Sequence, residues 1–335
     1  MSATVTPWRV DRRRRSAFVG GVAVVALPSL TLRANAQAWP ARPIRLVTGY
    51  APGGAADITA REIGVPLGRV LGQPIVVDNK PGASGTLAAA EISRAAPDGY
   101  TLGLLDNAPM TIVPSLRNPG YDPLTGFTAI AMVSQLPQVL VANPSLAANR
   151  PRELIELMRK QPGKLNYGSG GSGSVGHLAA ELLKARSQTF ALHVPYRGGA
   201  PVVTALIAGE VHFAFLTYTA TSAFIKSGQL KALGVSSTTR LPALPNVPTI
   251  AEDALPGYEA PGWFALVGPA GLPASVVAPI EKALAETMAT PAVAARLDAL
   301  GQTVATGKLD PKKTIATELA VWKKLVAERK IVVDI

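Results

Sequence analysis

The sequence predicts an α/β protein of two units, each a parallel-rich sheet flanked by helices, with a hinged cleft between them. Three observations carry this expectation. From Pro43 onward, short strand-type runs alternate with helix-type periods. Two stretches about 120 residues apart, Ile44 to Arg61 and Lys164 to Lys184, share one build: an apolar run, a glycine turn and an amphipathic helix. Finally, one α/β unit is interrupted by another and completed by C-terminal helices, which requires two crossings of the chain.

Residues 1–38 read as an export signal. Arg12 to Arg15 form a basic segment, Ala17 to Leu32 a short apolar stretch, and Ala34-Asn35-Ala36 and Ala36-Gln37-Ala38 offer small-residue cleavage sites. Cleavage after Ala38 starts the mature chain at Trp39, outside the cytoplasm. The arginines followed by Ser16-Ala17-Phe18-Val19 fit a twin-arginine route, and the general secretory route stays open. Interrupted by Pro28 and Ser29, the apolar stretch is too short for a stable membrane span.

The first unit begins with a strand at Ile44–Val47, the turn Pro52-Gly53-Gly54 and a helix over Ala55–Leu71. A strand at Ile75–Asp78 leads through Asn79-Lys80-Pro81-Gly82-Ala83-Ser84-Gly85 to a helix over Thr86–Ala95, and Leu102–Leu105 is again strand-like. Tyr121 to Phe127 reads as a loop. Ile130–Val133 and Gln138–Ala142 read as strands, the second leaving the first unit.

The second unit opens with a helix over Arg152–Gln161, whose Leu154, Leu157 and Met158 share a face. Leu165-Asn166-Tyr167 leads into the turn Gly168 to Gly173 and a helix carrying Val175, Leu178, Ala179, Leu182 and Leu183. Phe190–Val194 is a strand, Tyr196-Arg197-Gly198-Gly199 a turn, Val202–Ala208 a helix and Val211–Leu216 a strand. Thr221–Ser227 reads as a short helix and Ala232–Val235 as a strand; Leu241 to Pro256, rich in proline, is a long connection. Trp263–Val267 returns to the first unit, followed by helices over Val276–Met288, Ala292–Leu300 and Pro311–Lys330. The expected division is 39–140 and 262–335 for the first unit and 141–261 for the second.

Composition narrows the function. With 335 residues and 48% apolar content, the chain can bury two cores. It has no cysteine, which removes disulfides, thiolate metal sites and a cysteine nucleophile. His177, His193 and His212 share no metal-type spacing. The formal charge of +11 falls to +6 without residues 1–38, and no basic run interleaves with aromatics, so nucleic acid is not an expected partner. Neither a cofactor nor a metal is expected.

The two glycine turns point to anion binding. Each leaves backbone N–H groups without partners at a helix start, where the helix dipole adds roughly half a positive charge. Such a site holds a phosphate or carboxylate without a charged side chain. Gly168-Ser169-Gly170-Gly171-Ser172-Gly173 also matches a dinucleotide fingerprint, but no acid for a ribose lies between Glu181 and Glu210. Asp57 and Arg61 make either an i,i+4 ion pair or a ligand contact. His177 either holds the turn backbone or faces the cleft, and Tyr196 either lines a pocket or packs. Trp263 is read as core or hinge. No G-x-S-x-G elbow surrounds Ser84, Ser169, Ser172 or Ser174.

The chain resembles the periplasmic solute-binding proteins of tripartite tricarboxylate transporters, the Bordetella uptake gene family. The resemblance rests on Tyr50-Ala51-Pro52-Gly53-Gly54 with Asp57 and Arg61; Asp78 to Gly85; Tyr121-Asp122-Pro123 with Phe127; and Tyr167 to Gly170 with Gly173-Ser174 and His177-Leu178. It continues through Pro195 to Ala200, Leu244 to Thr249 with Glu252, Gly257-Tyr258, Trp263 and Pro269-Ala270-Gly271. It implies a periplasmic location, a type II-like periplasmic binding protein fold, no catalysis, and a monomer that captures a small organic carboxylate and docks on permease subunits. An exported enzyme or a ligand sensor using the same cleft is the alternative.

The implied clamp consists of Tyr50, Pro52, Gly53, Gly54 and Asp57 from the first unit. From the second it takes Ser169, Gly170, Gly171, Ser172, Ser174, His177, Tyr196 and Thr217, acting largely through backbone N–H groups and bridging waters. Asn107 or Asp106 is expected to reach the cleft. Thr217-Tyr218-Thr219 supplies no acid for a ligand amine, which points away from amino acids.

Overall fold

Ile44–Thr48 forms β1, an almost wholly buried strand that ends at Gly49. A Cβ on Gly49 would lie 2.5 Å from Gly85 Cα, so the turns that follow the first two strands meet backbone to backbone. The chain continues through α1 (Ala55–Leu71), β2 (Ile75–Asn79), a single 3-10 turn at Ala83–Gly85, α2 (Thr86–Ser93) and β3 (Thr101–Asp106). α1 stops at Leu71 because Gly72 takes φ +74° and its N–H closes on Gly68 and Arg69. A π-type turn at Ala108–Ile112 then runs into α3 (Val113–Leu116). This computed structural model describes residues 1–4, 39–329 and 331. The body of the expected export signal, 5–38, lies outside the described residues.

β4 (Phe127–Leu136) and β5 (Gln138–Ala142) are separated only by Pro137. α4 (Pro151–Lys160), β6 (Asn166–Ser169), α5 (Val175–Ser187), β7 (Leu192–Pro195), α6 (Gly199–Ala208), β8 (Phe213–Thr217), α7 (Tyr218–Lys226) and β9 (Lys231–Val235) follow. The proline-rich connection carries one short helix, α8 (Ile250–Asp253), fixed by a capping box between Thr249 and Glu252. The chain ends with β10 (Gly262–Pro269), α9 (Ala274–Ala289), α10 (Pro291–Ala299), β11 (Thr303–Val304) and α11 (Pro311–Arg329).

Among the described residues the strands form two sheets, ordered β11-β4-β10-β3-β1-β2 and β7-β6-β8-β5-β9. Each sheet is mixed. The strands built by strand–helix units run parallel: β2 and β3 beside β1, β7 and β8 beside β6. The crossing strands run antiparallel, with β10 against β3 and β4 and with β5 against β8 and β9. β5 pairs along its whole length in the second sheet, so the first crossing falls at Pro137, ahead of the expected boundary at 140. The return crossing lies at Pro261, immediately before β10.

Apolar layers cover both faces of both sheets. In the first, Ala60, Ile63 and Leu67 of α1 join Ile280 and Leu284 of α9 on one face. Ala88, Ala89 and Ile92 of α2 cover the other. In the second, Leu154 and Met158 of α4 and Leu178 and Leu183 of α5 cover one face, and Val202 and Leu206 of α6 the other. α11 is shared. Ile315 packs in a first-sheet layer, while Trp322 and Leu325 pack among the second-sheet residues Leu178 and Tyr167. The segment 262–335 is therefore not confined to the first sheet, because the apolar face of α11 is long enough to brace both.

Candidate functional site

In parallel strands the carboxyl ends lead into helix starts, and ligands bind in the crevice beyond them. Here the ends of β1, β3, β6 and β8 open onto one cavity of about 610 Å³ between the sheets. Its wall includes the first-turn residues of four helices: Ala55 and Ala56 of α1, Val175 and Gly176 of α5, Gly199 and Ala200 of α6, and Thr219 and Ala220 of α7. α1 comes from the first sheet and the other three from the second. The first-turn N–H groups have no partner within their own helix, so four partial positive ends converge on the cavity.

The first turn is held from behind. Gly53 takes φ +83° and donates its N–H to Asp57 Oδ2 at 2.9 Å, while Asp57 Oδ1 accepts from Arg61 Nε at 2.9 Å. The Arg61 hydrogen bond holds the Asp57 carboxyl below the usual range. Asn79 Nδ2 donates to Tyr50 O at 2.9 Å and pins the loop from the β2 side. Gly54 at the N-cap has extended dihedrals, φ −77° and ψ 167°, and no side chain to cap the helix.

The second turn is held by the core beneath it. Gly173, at φ +81°, donates its N–H to His177 Nδ1 at 3.1 Å, and His177 N donates to the N-cap Ser174 Oγ at 3.3 Å. A Cβ on Gly176 would stand 2.3 Å from Phe215 O, so only glycine lets α5 start this close to β8. Below lies a stacked column: the His177 and His193 rings are 4.1 Å apart, and Tyr167 lies 4.9 Å from His193. Burial pushes His177 down to about 4 and His193 down to about 3, so both are neutral near pH 7. Tyr167 Oη donates to Glu181 Oε1 at 2.6 Å, and Lys184 Nζ donates to the same oxygen at 2.5 Å. The third turn locks onto the second through Gly198 N to Gly170 O at 3.1 Å.

The base of the cavity is acidic. Tyr50 Oη donates to Asp106 Oδ2 at 2.6 Å, and burial pushes the Asp106 carboxyl up to about 7. Asn107, fully buried, donates through Nδ2 to Pro261 O at 3.2 Å and to Glu318 Oε1 at 2.9 Å. Glu318 also accepts from Trp322 Nε1 at 2.7 Å and from Trp263 Nε1. This carboxylate of α11 thus ties the cavity wall to the return crossing and to the core of the second sheet.

Of the residues expected from sequence, Tyr50, Gly53, Gly54, Asn107, Gly170, Ser174 and Thr217 lie on the cavity wall. Pro52, Asp57, Ser169, Gly171, Ser172, His177 and Tyr196 do not. Asp57 is turned back onto Gly53 and Arg61. Ser169 is fully buried and hydrogen-bonds His193 Nε2 at 2.6 Å, because strand alternation turns it into the core. His177 takes the backbone-holding role. Tyr196 packs against the Val202 layer, and its N–H bonds Ser169 O. Trp263, read as core or hinge, is also on the wall. Gly199 and Ala200 of α6 and Thr219 and Ala220 of α7 were not among the expected residues. Gly198-Gly199 was the available signal for α6.

The comparisons place this geometry in a family. Residues 59–331 match the family described as tripartite tricarboxylate transporter family receptor. The protein BugT of Bordetella pertussis is 33% identical over 307 residues, covering 91% of this chain and 94% of its own. The structure of the periplasmic binding protein BugD superposes with a TM-score of 0.78 at 32% identity, covering 88% of this chain and 100% of its own. The R. palustris protein Rpa4515, solved with adipate, gives a TM-score of 0.80 at 32% identity, covering 88% of this chain and 100% of its own. The chain belongs to the tripartite tricarboxylate transporter receptor family.

Proposed function

We propose that this chain is a periplasmic solute-binding protein that captures a small organic carboxylate between its two sheets and delivers it to the permease of a tripartite transporter. The observation that carries the reading is the convergence of the α1 and α5 starts, from different sheets, on one cavity. A carboxylate bridging them gains from both only when the sheets come together, which couples capture to closure. In this reading residues 1–38 direct export, and the lobes 39–137 with 262–310 and 138–261 close about Pro137 and Pro261. The closed monomer is the form the permease receives. Family membership and the adipate held by Rpa4515 support the carboxylate.

The test exploits proline. At the first helical position proline is well tolerated and deletes only an N–H donor. Gly54 and Ser174, which precede those positions, already have the extended dihedrals that a following proline requires (ψ 167° and 160°). A thermal-shift screen against mono-, di- and tricarboxylates should give a hit. At about 100 times its dissociation constant a ligand adds roughly 2.7 kcal/mol. Ala55→Pro and Val175→Pro should each weaken that hit about tenfold or more while leaving the ligand-free melting temperature nearly unchanged. A hit indifferent to both variants would refute the clamp.

A further inference from the structure

We infer that the cleft selects a carboxylate whose remaining body is apolar, an aliphatic chain or a ring, over dicarboxylates and tricarboxylates. The inference rests on the carboxylate reading above and narrows it.

The cavity offers two kinds of surface. One is the set of helix starts, where backbone N–H groups suit a carboxylate. The other is apolar: Leu136, Val203, Ile207, Leu216, Phe224 and Phe264 all line the same space. Val203 and Leu216 stand on the second-sheet layer, with Ile207 and Phe224 packed at its edge. Phe264 and Leu136 face them from the first-sheet core. A ligand that reaches from the helix starts into this region meets mostly apolar side chains; of the polar ones beside them, Gln138 Nε2 already donates to Leu136 O and the Thr204 hydroxyl to Ala200 O. Methylene or ring carbon gains there by leaving water. A second carboxylate placed there would shed its hydration with no cation to replace it.

The charges on the wall agree. Among the described residues the cavity wall holds no Lys, Arg or His, and its only carboxyl is Asp106. Asp106 carries no positive charge in either form and repels a second anionic group when ionised. The added helix starts contribute a partial charge, weaker than a cation's. The third residue of α6 is Pro201, which has no N–H. In α7 the Thr219 hydroxyl is turned away to donate to Leu300 O at 2.7 Å.

Pairs of probes matched in carbon skeleton isolate the second charge. Titration calorimetry of the purified protein, unfolded and refolded to remove carried-over ligand, would compare hexanoate with adipate and benzoate with terephthalate, with citrate as the tricarboxylate. In at least one pair the monocarboxylate should bind and do so at least tenfold more tightly than its partner, with citrate weaker still. Phe224→Lys, which places a cation on the apolar wall at a half-buried position, should narrow or invert that ratio. Ile207→Lys provides a second placement should the first variant fail to fold. Adipate, terephthalate or citrate binding more tightly than every monocarboxylate would overturn the inference and leave the carboxylate clamp standing. No heat with any of the five probes, or with the wider carboxylate screen, would overturn the clamp and this inference together.

Discussion

Asp106→Asn tests the electrostatics of the cavity base. In an unfolded chain an aspartate titrates near 3.9, whereas in the folded protein burial pushes Asp106 up to about 7. Between those values the folded state holds a proton that the unfolded state has released. Stability supplied by the neutral form is therefore complete below about pH 4 and is lost as pH rises toward 7. The gap corresponds to about 4 kcal/mol, at 1.36 kcal/mol per pH unit. Asparagine keeps the shape and still accepts the Tyr50 hydrogen bond, seen at 2.6 Å in the parent. It cannot ionise. The groups facing Asp106 are Tyr50, Tyr121 and Glu318. Glu318, itself pushed up by burial, is common to both proteins, and its charge adds to the upward push on Asp106, so the difference reports the Asp106 site together with that coupling. Urea unfolding of the ligand-free protein at pH 4, 6 and 8 is the assay. The variant should match the parent near pH 4 and exceed it by roughly 2–4 kcal/mol at pH 8. A parent–variant difference that stays flat across this range would refute the buried, protonatable Asp106.

Two other predictions concern the support beneath the second turn. Lys184 and Glu181 are both nearly buried and share a 2.5 Å contact, so Lys184→Met strands a carboxylate and should cost about 3–5 kcal/mol in chemical denaturation. Adding Glu181→Leu should recover most of that loss, and no recovery would mean that the pair acts through something other than charge. Gly176→Ala drives a Cβ toward Phe215 O, 2.3 Å away, and should cost roughly 1–3 kcal/mol while also weakening ligand binding. A fully stable variant with parental affinity would show that α5 need not start so close to β8.

The long elements were legible because their periods are long. α1 runs over Ala55–Leu71 as expected, and the structure adds Gly72 as the residue that closes it. β11 has only two residues and owes its strand geometry to the edge of β4, through Thr303 opposite Gln135 and Val304 opposite Ser134. No local pattern encodes such a pairing. The stretch Ala108–Leu116 is nearly all apolar and contains Pro109 and Pro114, so it shows no period until it is buried against α11. At the site, the two glycine turns announced themselves because glycine is needed at positive φ and at close approach. The apolar side of the cavity did not, because Val203, Ile207 and Phe224 look like any amphipathic helix residues. Ser169 and His177 enter the expected clamp through the family resemblance, and the sequence leaves His177 open between holding the turn and facing the cleft. Which way they face depends on strand alternation and on the fit of α5 to β8, and both turn inward.

The most direct test of the account is to watch the backbone N–H groups themselves. Two-dimensional nitrogen–proton spectra of the deuterated protein, titrated with the best carboxylate from the screen, would follow Ala55, Ala56, Val175 and Gly176. The account predicts that amides of α1 and α5 shift together, downfield and with one dissociation constant, because one carboxylate bridges both helix starts. Shifts confined to one helix, or binding that leaves all four amides in place, would contradict it.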